Sequence, residues 1–136
     1  MRQILVDSGP LIALFDGGDK YHQAAVAFIK ENKSQLITTL ASVTETLHLL
    51  DYSCAAQIDF LSWLDAGAVT IESITIEDLP RIIELTRKYS DLPMDFADAC
   101  LVLLAEKLHI NNIATIDRDF DVYRTKQGKS FTILVK

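Results

Sequence analysis

Cysteine and histidine are scarce in this chain, and their placement excludes whole classes of site. Cys54, Cys100, His22, His48 and His109 are spread over 136 residues. They form no zinc-ligand spacing, and two cysteines build no disulfide framework. Both cysteines sit in apolar, helix-like surroundings and are expected to be small buried thiols. The histidines are expected at the surface or satisfied, along helices or at their ends. Long apolar runs are missing as well. No stretch approaches the roughly 20 residues of a membrane span, and the apolar part of residues 1–6 is too short for a signal peptide. These absences favour a cytoplasmic protein with no membrane partner. A basic excess is also lacking. The formal charge is −6, which is not the footprint of a protein that grips nucleic acid by bulk electrostatics. The last part of the chain is the local exception, with Arg118, Arg124, Lys126, Lys129 and Lys136 against Asp119 and Asp121.

Enough apolar residue is present for a core. The hydrophobic fraction of 49% argues against disorder, and the length fits a single domain over residues 1–136. No repeat, linker or low-complexity segment divides it. Residues 4–6 read as a short strand, and Ser8-Gly9-Pro10 restarts the chain as a helix over 10–15. Gly17-Gly18 closes that helix. Further helices are predicted over 20–32, 42–50, 54–65, 77–89 and 95–108. The first of these carries Tyr21, Ala25, Phe28 and Ile29 on one face. Strands are predicted at 36–38, 68–71, 110–116 and 131–135. This alternation predicts an α/β domain with a mainly parallel central sheet flanked by helices.

Four acids stand out against that apolar pattern. Asp7 closes the run Ile4-Leu5-Val6, and Asp117 follows Ile113-Ala114-Thr115-Ile116. Both fall just after predicted strands, where α/β sheets place their ligands. Glu45 lies between Val43 and the Leu47, Leu49 and Leu50 group. Asp98 sits inside a helix that is apolar nearly all round. Asp7 also fits as a helix cap, Glu45 as the returning arm of a Ser42–Glu45 capping box, and Asp117 with Asp119 as turn residues. Asp95 suits the N-cap or the first turn of its helix. Asp98 resists such explanations, because a solvated face does not account for it. Buried carboxylates are costly unless paired or bound to a metal. One shared pocket would need a divalent cation, and Mg²⁺ or Mn²⁺ suits carboxylate oxygen.

The ordered set of motifs resembles the PIN domain, and its VapC-like branch in particular. The matching segments are Leu5-Val6-Asp7-Ser8-Gly9-Pro10-Leu11, Thr44-Glu45, Pro93-Met94-Asp95-Phe96-Ala97-Asp98-Ala99 and Ile113-Ala114-Thr115-Ile116-Asp117-Arg118-Asp119-Phe120. The resemblance covers the whole chain in length, order and spacing. It implies a Rossmann-like three-layer fold and a metal-dependent endoribonuclease. Asp7, Glu45, Asp98 and Asp117 correspond to the acidic quartet. Asp95 and Asp119 correspond to additional acids, and Ser8 and Thr115 to supporting hydroxyls. It further implies an RNA substrate, a homodimer, and a small antitoxin partner.

Two other readings compete. A phosphoacceptor domain also gathers acids around Mg²⁺. It needs an Asp ending a central strand and a Lys after a late one; Leu36-Ile37-Thr38-Thr39 and the residues after Ile116 supply neither. A PIN-fold module that binds RNA or protein without catalysis is opposed by the complete acid set.

Overall fold

The computed structural model describes residues 2–135. Five strands form one sheet: β1 (Gln3–Val6), β2 (Gln35–Thr39), β3 (Thr70–Glu72), β4 (Asn112–Ala114) and β5 (Thr132–Ile133). Their order is β3-β2-β1-β4-β5, and every pairing is parallel. Six helices accompany them: α1 (Ser8–Phe15), α2 (His22–Glu31), α3 (Leu40–Leu49), α4 (Cys54–Asp65), α5 (Leu79–Lys88) and α6 (Phe96–Leu108). Short 3₁₀ turns lie at Ile76–Asp78 and Arg118–Asp121.

Strand alternation divides the core in two. Leu5, Ile37 and Ile113 align across three neighbouring strands and pack into a cluster with Ile82 and Leu85 of α5, the buried stretch of α6, Phe120 and Tyr123. Ile4, Val6, Leu36 and Ala114 face the other way, onto Leu11 of α1, Val43 of α3, Leu50 just beyond α3, and Phe60 of α4. Successive strand residues point to opposite faces, so the apolar run of each central strand serves both layers. The three-layer α/β architecture follows.

Several boundaries differ from the predicted ones for local reasons. Helix α1 begins at Ser8 rather than residue 10, because Asp7 caps it. Strand β4 stops at Ala114 rather than residue 116, since Thr115 and Asp117 turn inward to make side-chain contacts. The predicted Ser42–Glu45 capping box does not form. Thr39 ends β2 in extended backbone and caps α3 by accepting the Ser42 amide at 3.2 Å. Glu45 therefore lies in mid-helix, free of any capping duty. Cys54 is another correction: it opens α4 and is exposed, whereas Cys100 is buried. His48 and His109 are exposed, and the half-buried His22 places Nδ1 2.7 Å from the Ala13 carbonyl. No helix among the described residues is long and apolar enough to cross a membrane.

The strand order places the site. The chain leaves β1 toward β2 and β3 on one side, and β4 leads to β5 on the other. The order reverses between β1 and β4, so a crevice opens beyond their carboxyl ends.

Candidate active site

Asp7 is the first residue beyond β1, and its amide still bonds to the Ala114 carbonyl at 2.9 Å. Its side chain is therefore fixed at the strand end. The Ser8 amide donates to one carboxylate oxygen at 2.8 Å. The Thr115 hydroxyl donates to the other, also at 2.8 Å. Thr115 is the first residue beyond β4, and its hydroxyl oxygen accepts the Asp117 amide at 3.0 Å. This hydroxyl links the two strand ends across the switch point. Asp117 in turn accepts the Asp119 amide at 2.9 Å and opens the 3₁₀ turn.

Asp98 reaches the same place from α6. Asp95 caps this helix by accepting the Asp98 amide at 2.8 Å. Asp98 thus sits in the first turn, and residues from Ala97 to Ala105 are all buried. The Tyr123 hydroxyl donates to its carboxylate at 3.0 Å. Asp7, Asp98 and Asp117 each present a carboxylate oxygen, and these three atoms lie within 4.8 Å of one another. Glu45 approaches from α3, where it accepts a hydrogen bond from the Ser8 hydroxyl. Asp95 stands close enough for its charge to act on both Asp98 and Asp119, and Asp117 also acts on Asp119. The structure thus gathers all six acids singled out in the sequence, three inner and three around them.

The electrostatics match that crowding. Burial pushes Asp7 up to about 6, with repulsion from Glu45 and Asp117 adding to it; the bonds from Thr115 and Ser8 pull the other way. Burial also pushes Asp98 up to about 8, helped by the charges of Asp7 and Asp95 and opposed by the Tyr123 hydroxyl. Asp119 is raised by desolvation and by Asp117 and Asp95. Burial and the Asp98 charge raise the Tyr123 hydroxyl, so it remains a donor. The ion pairs among the described residues join Arg81 to Glu84 and Glu106, and Lys107 to Asp78. None reaches the cluster. Carboxylates so arranged share a proton or hold a divalent cation.

The donor set fits a hard cation. Oxygens sharing one Mg²⁺ at about 2.1 Å in octahedral geometry lie roughly 3.0–4.2 Å apart. The three inner acids, within 4.8 Å of one another, lie near that spacing. All donors are oxygen, and no His or Cys joins them.

Tyr123 was not legible in the sequence. It lies in a segment without helical or strand periodicity, yet its side chain is fully buried. The available signal was a tyrosine three residues after Phe120 in a turn, since a buried tyrosine needs a partner for its hydroxyl.

An open α/β sheet with carboxylates converging at its switch point describes a class of metal-site hydrolase folds, and comparison resolves the family. The chain belongs to the PIN domain family, whose profile matches residues 4–126. It is 28% identical over 138 residues to Ribonuclease VapC26 of Mycobacterium tuberculosis, covering 96% of this chain and 99% of that protein. Among solved structures it is similar to Mycobacterium tuberculosis VapC20, described as a sarcin-ricin loop cleaving toxin. The TM-score there is 0.80 at 23% identity, over 88% of this chain and 93% of that one. A more distant likeness is to VapBC2 from Rickettsia felis bound to a DNA fragment from its promoter, with a TM-score of 0.56 at 11% identity over 97% of both chains.

Proposed function

We propose that this chain is a divalent-metal-dependent endoribonuclease and the toxin of a VapBC-like toxin–antitoxin pair, acting in the cytoplasm as one PIN-like domain over residues 1–136. The observation that carries the reading is the convergence of Asp7, Asp98 and Asp117 within 4.8 Å, with no basic residue among the described ones paired to them. The ribonuclease named among its relatives supports RNA as substrate, and the VapBC likeness supports an antitoxin partner.

In this reading Asp7, Asp98 and Asp117 would hold Mg²⁺ or Mn²⁺, which would supply Lewis acidity for water activation and charge neutralisation at the phosphate. The Thr115 hydroxyl and the Ser8 amide each fix one oxygen of Asp7. Ser8 fixes Glu45, which serves as a further ligand or positions the attacking water. Asp95 and Asp119 flank the centre, where a second ion or a water is held. Growth arrest on expression tests the whole reading. Arrest by the wild type and not by Asp98→Asn is expected; arrest by both points away from catalysis.

Tyr123→Phe tests the support of one ligand. Its hydroxyl lowers the Asp98 proton affinity, so its loss lets protons compete harder with metal. Mn²⁺ affinity at pH 7 is expected to fall about 10-fold, at a stability cost of about 1 kcal/mol. Calorimetric titration checks this; unchanged affinity would remove Tyr123 from the site.

Protein partners need apolar surface, and the chain offers it. Leu40, Ile71, Ile76, Leu79 and Phe96 are all exposed around one groove between α3, β3, α5 and α6. Ile76 is 79% exposed. A homodimer through this groove is the arrangement we propose. Ile76→Asp is then expected to convert a dimer to a monomer in light scattering after gel filtration. A mass unchanged from that of a wild-type dimer would place the contact elsewhere.

A further inference from the structure

A second cavity adjoins the acidic centre and is not explained by metal binding. It encloses about 330 Å³ and shares Thr115 and Asp117 with the centre. That volume lies at the lower end of small-ligand sites, which run from about 300 to 1,000 Å³. It fits one nucleotide rather than a stretch of chain. Its composition is divided. Ile116, Ile133 and Val135 make an apolar wall, while Tyr21 and Arg118 supply an aromatic ring and a guanidinium.

Arg118 brings a cation into this lining, set against Asp117 and Asp121. Arg118 is exposed and makes no ion pair or side-chain hydrogen bond with the other described residues. The Lys20 ammonium lies 5.3 Å from the centroid of the Tyr21 ring. Lys20 thus lies against the Tyr21 ring, and Arg118 shares the cavity with that ring, in a chain of net charge −6. A guanidinium suits phosphate oxygens, and an aromatic ring beside an apolar wall suits the face of a base. Asp121, also on the rim, supplies an acceptor for base N–H groups.

We propose that this cavity is a nucleotide subsite. The base of the RNA residue next to the scissile phosphate stacks on Tyr21 and the apolar wall, and Arg118 holds the adjoining phosphate. The inference rests on the endoribonuclease reading and adds to it.

The test compares binding of fluorescein-labelled hexaadenylate with that of an abasic ribose-phosphate chain of equal length. Fluorescence anisotropy is read in an Asp98→Asn background with Mg²⁺, so that the probe is not cut. The parent is expected to prefer the base-bearing chain about 10-fold, in line with one stacked base. Tyr21→Ala should abolish that preference and leave abasic binding unchanged. Arg118→Ala should weaken both chains about equally and lower the salt slope by roughly one phosphate contact. Mn²⁺ affinity, measured with Tyr21→Ala and Arg118→Ala in the wild-type background, should stay unchanged, showing that the fold and the acids are intact. A base preference that survives Tyr21→Ala overturns the subsite while leaving the nuclease reading standing. A wild-type protein that neither binds nor cleaves RNA overturns both.

Discussion

Asp98→Asn is expected to lower metal-dependent RNA cleavage by at least about 10³-fold, the equivalent of roughly 4 kcal/mol of transition-state stabilisation. The same change should leave the fold intact. Asparagine matches aspartate in shape, its carbonyl still accepts from the Tyr123 hydroxyl, and the Asp95 cap bonds the unchanged backbone amide. In metal-free buffer at pH 8 the variant should melt above the wild type, because it removes a buried charge that repels Asp7. Cleavage assays and thermal melts read the two effects separately. Undiminished cleavage would remove Asp98 from the centre. Lost cleavage with a lower melting temperature would mean that the substitution had damaged the fold instead.

Metal-free protein should lose stability as pH rises from about 5 to 8. Asp7 and Asp98 both bind protons more tightly folded than unfolded. Their contribution is fully present below the unfolded carboxylate value of about 4 and is lost as pH passes through the folded values. At about 1.4 kcal/mol per pH unit, Asp7 moving from 3.8 to about 6 accounts for about 3 kcal/mol. Asp98 adds to this in the same direction. The melting temperature in EDTA is expected to fall by on the order of 10 °C across this window. Asp78 acts oppositely: the Thr75 amide and Lys107 hold it below the usual range, so its contribution is lost as pH falls. Saturating Mn²⁺ at 100 times its Kd should restore about 2.7 kcal/mol and release about one proton at pH 7. A flat melting profile in EDTA would show that the acids are not held together.

The sheet and most helices were readable because their periodicity is strong. The α6 segment is the clearest case: it is apolar nearly all round because it is buried nearly all round, which left Asp98 conspicuous. Asp7 and Asp117 were readable through their position after apolar strands. Glu45 was placed correctly on a helix but given the wrong alternative role. Its distance of three residues from Ser42 mimics a capping box, and only the extended backbone at Thr39 shows where α3 starts. Cys54 was misjudged because an apolar neighbourhood in sequence does not reveal which side of a helix start faces solvent. Tyr123 and the Tyr21–Arg118 cavity were invisible for a different reason. They depend on contacts between segments far apart in the chain, where no local pattern carries a trace.

The hydrogen bond from Thr115 to Asp7 spans 108 residues of sequence. A nascent chain that has not yet made β4 holds Asp7 on β1 with nothing opposite it, and Asp117 does not exist. Cutting ability therefore arises late, as a property of the finished molecule rather than of any portion of it. A protein that attacks RNA would thus stay inactive while it is being made, and cut only once its two distant strand ends have met.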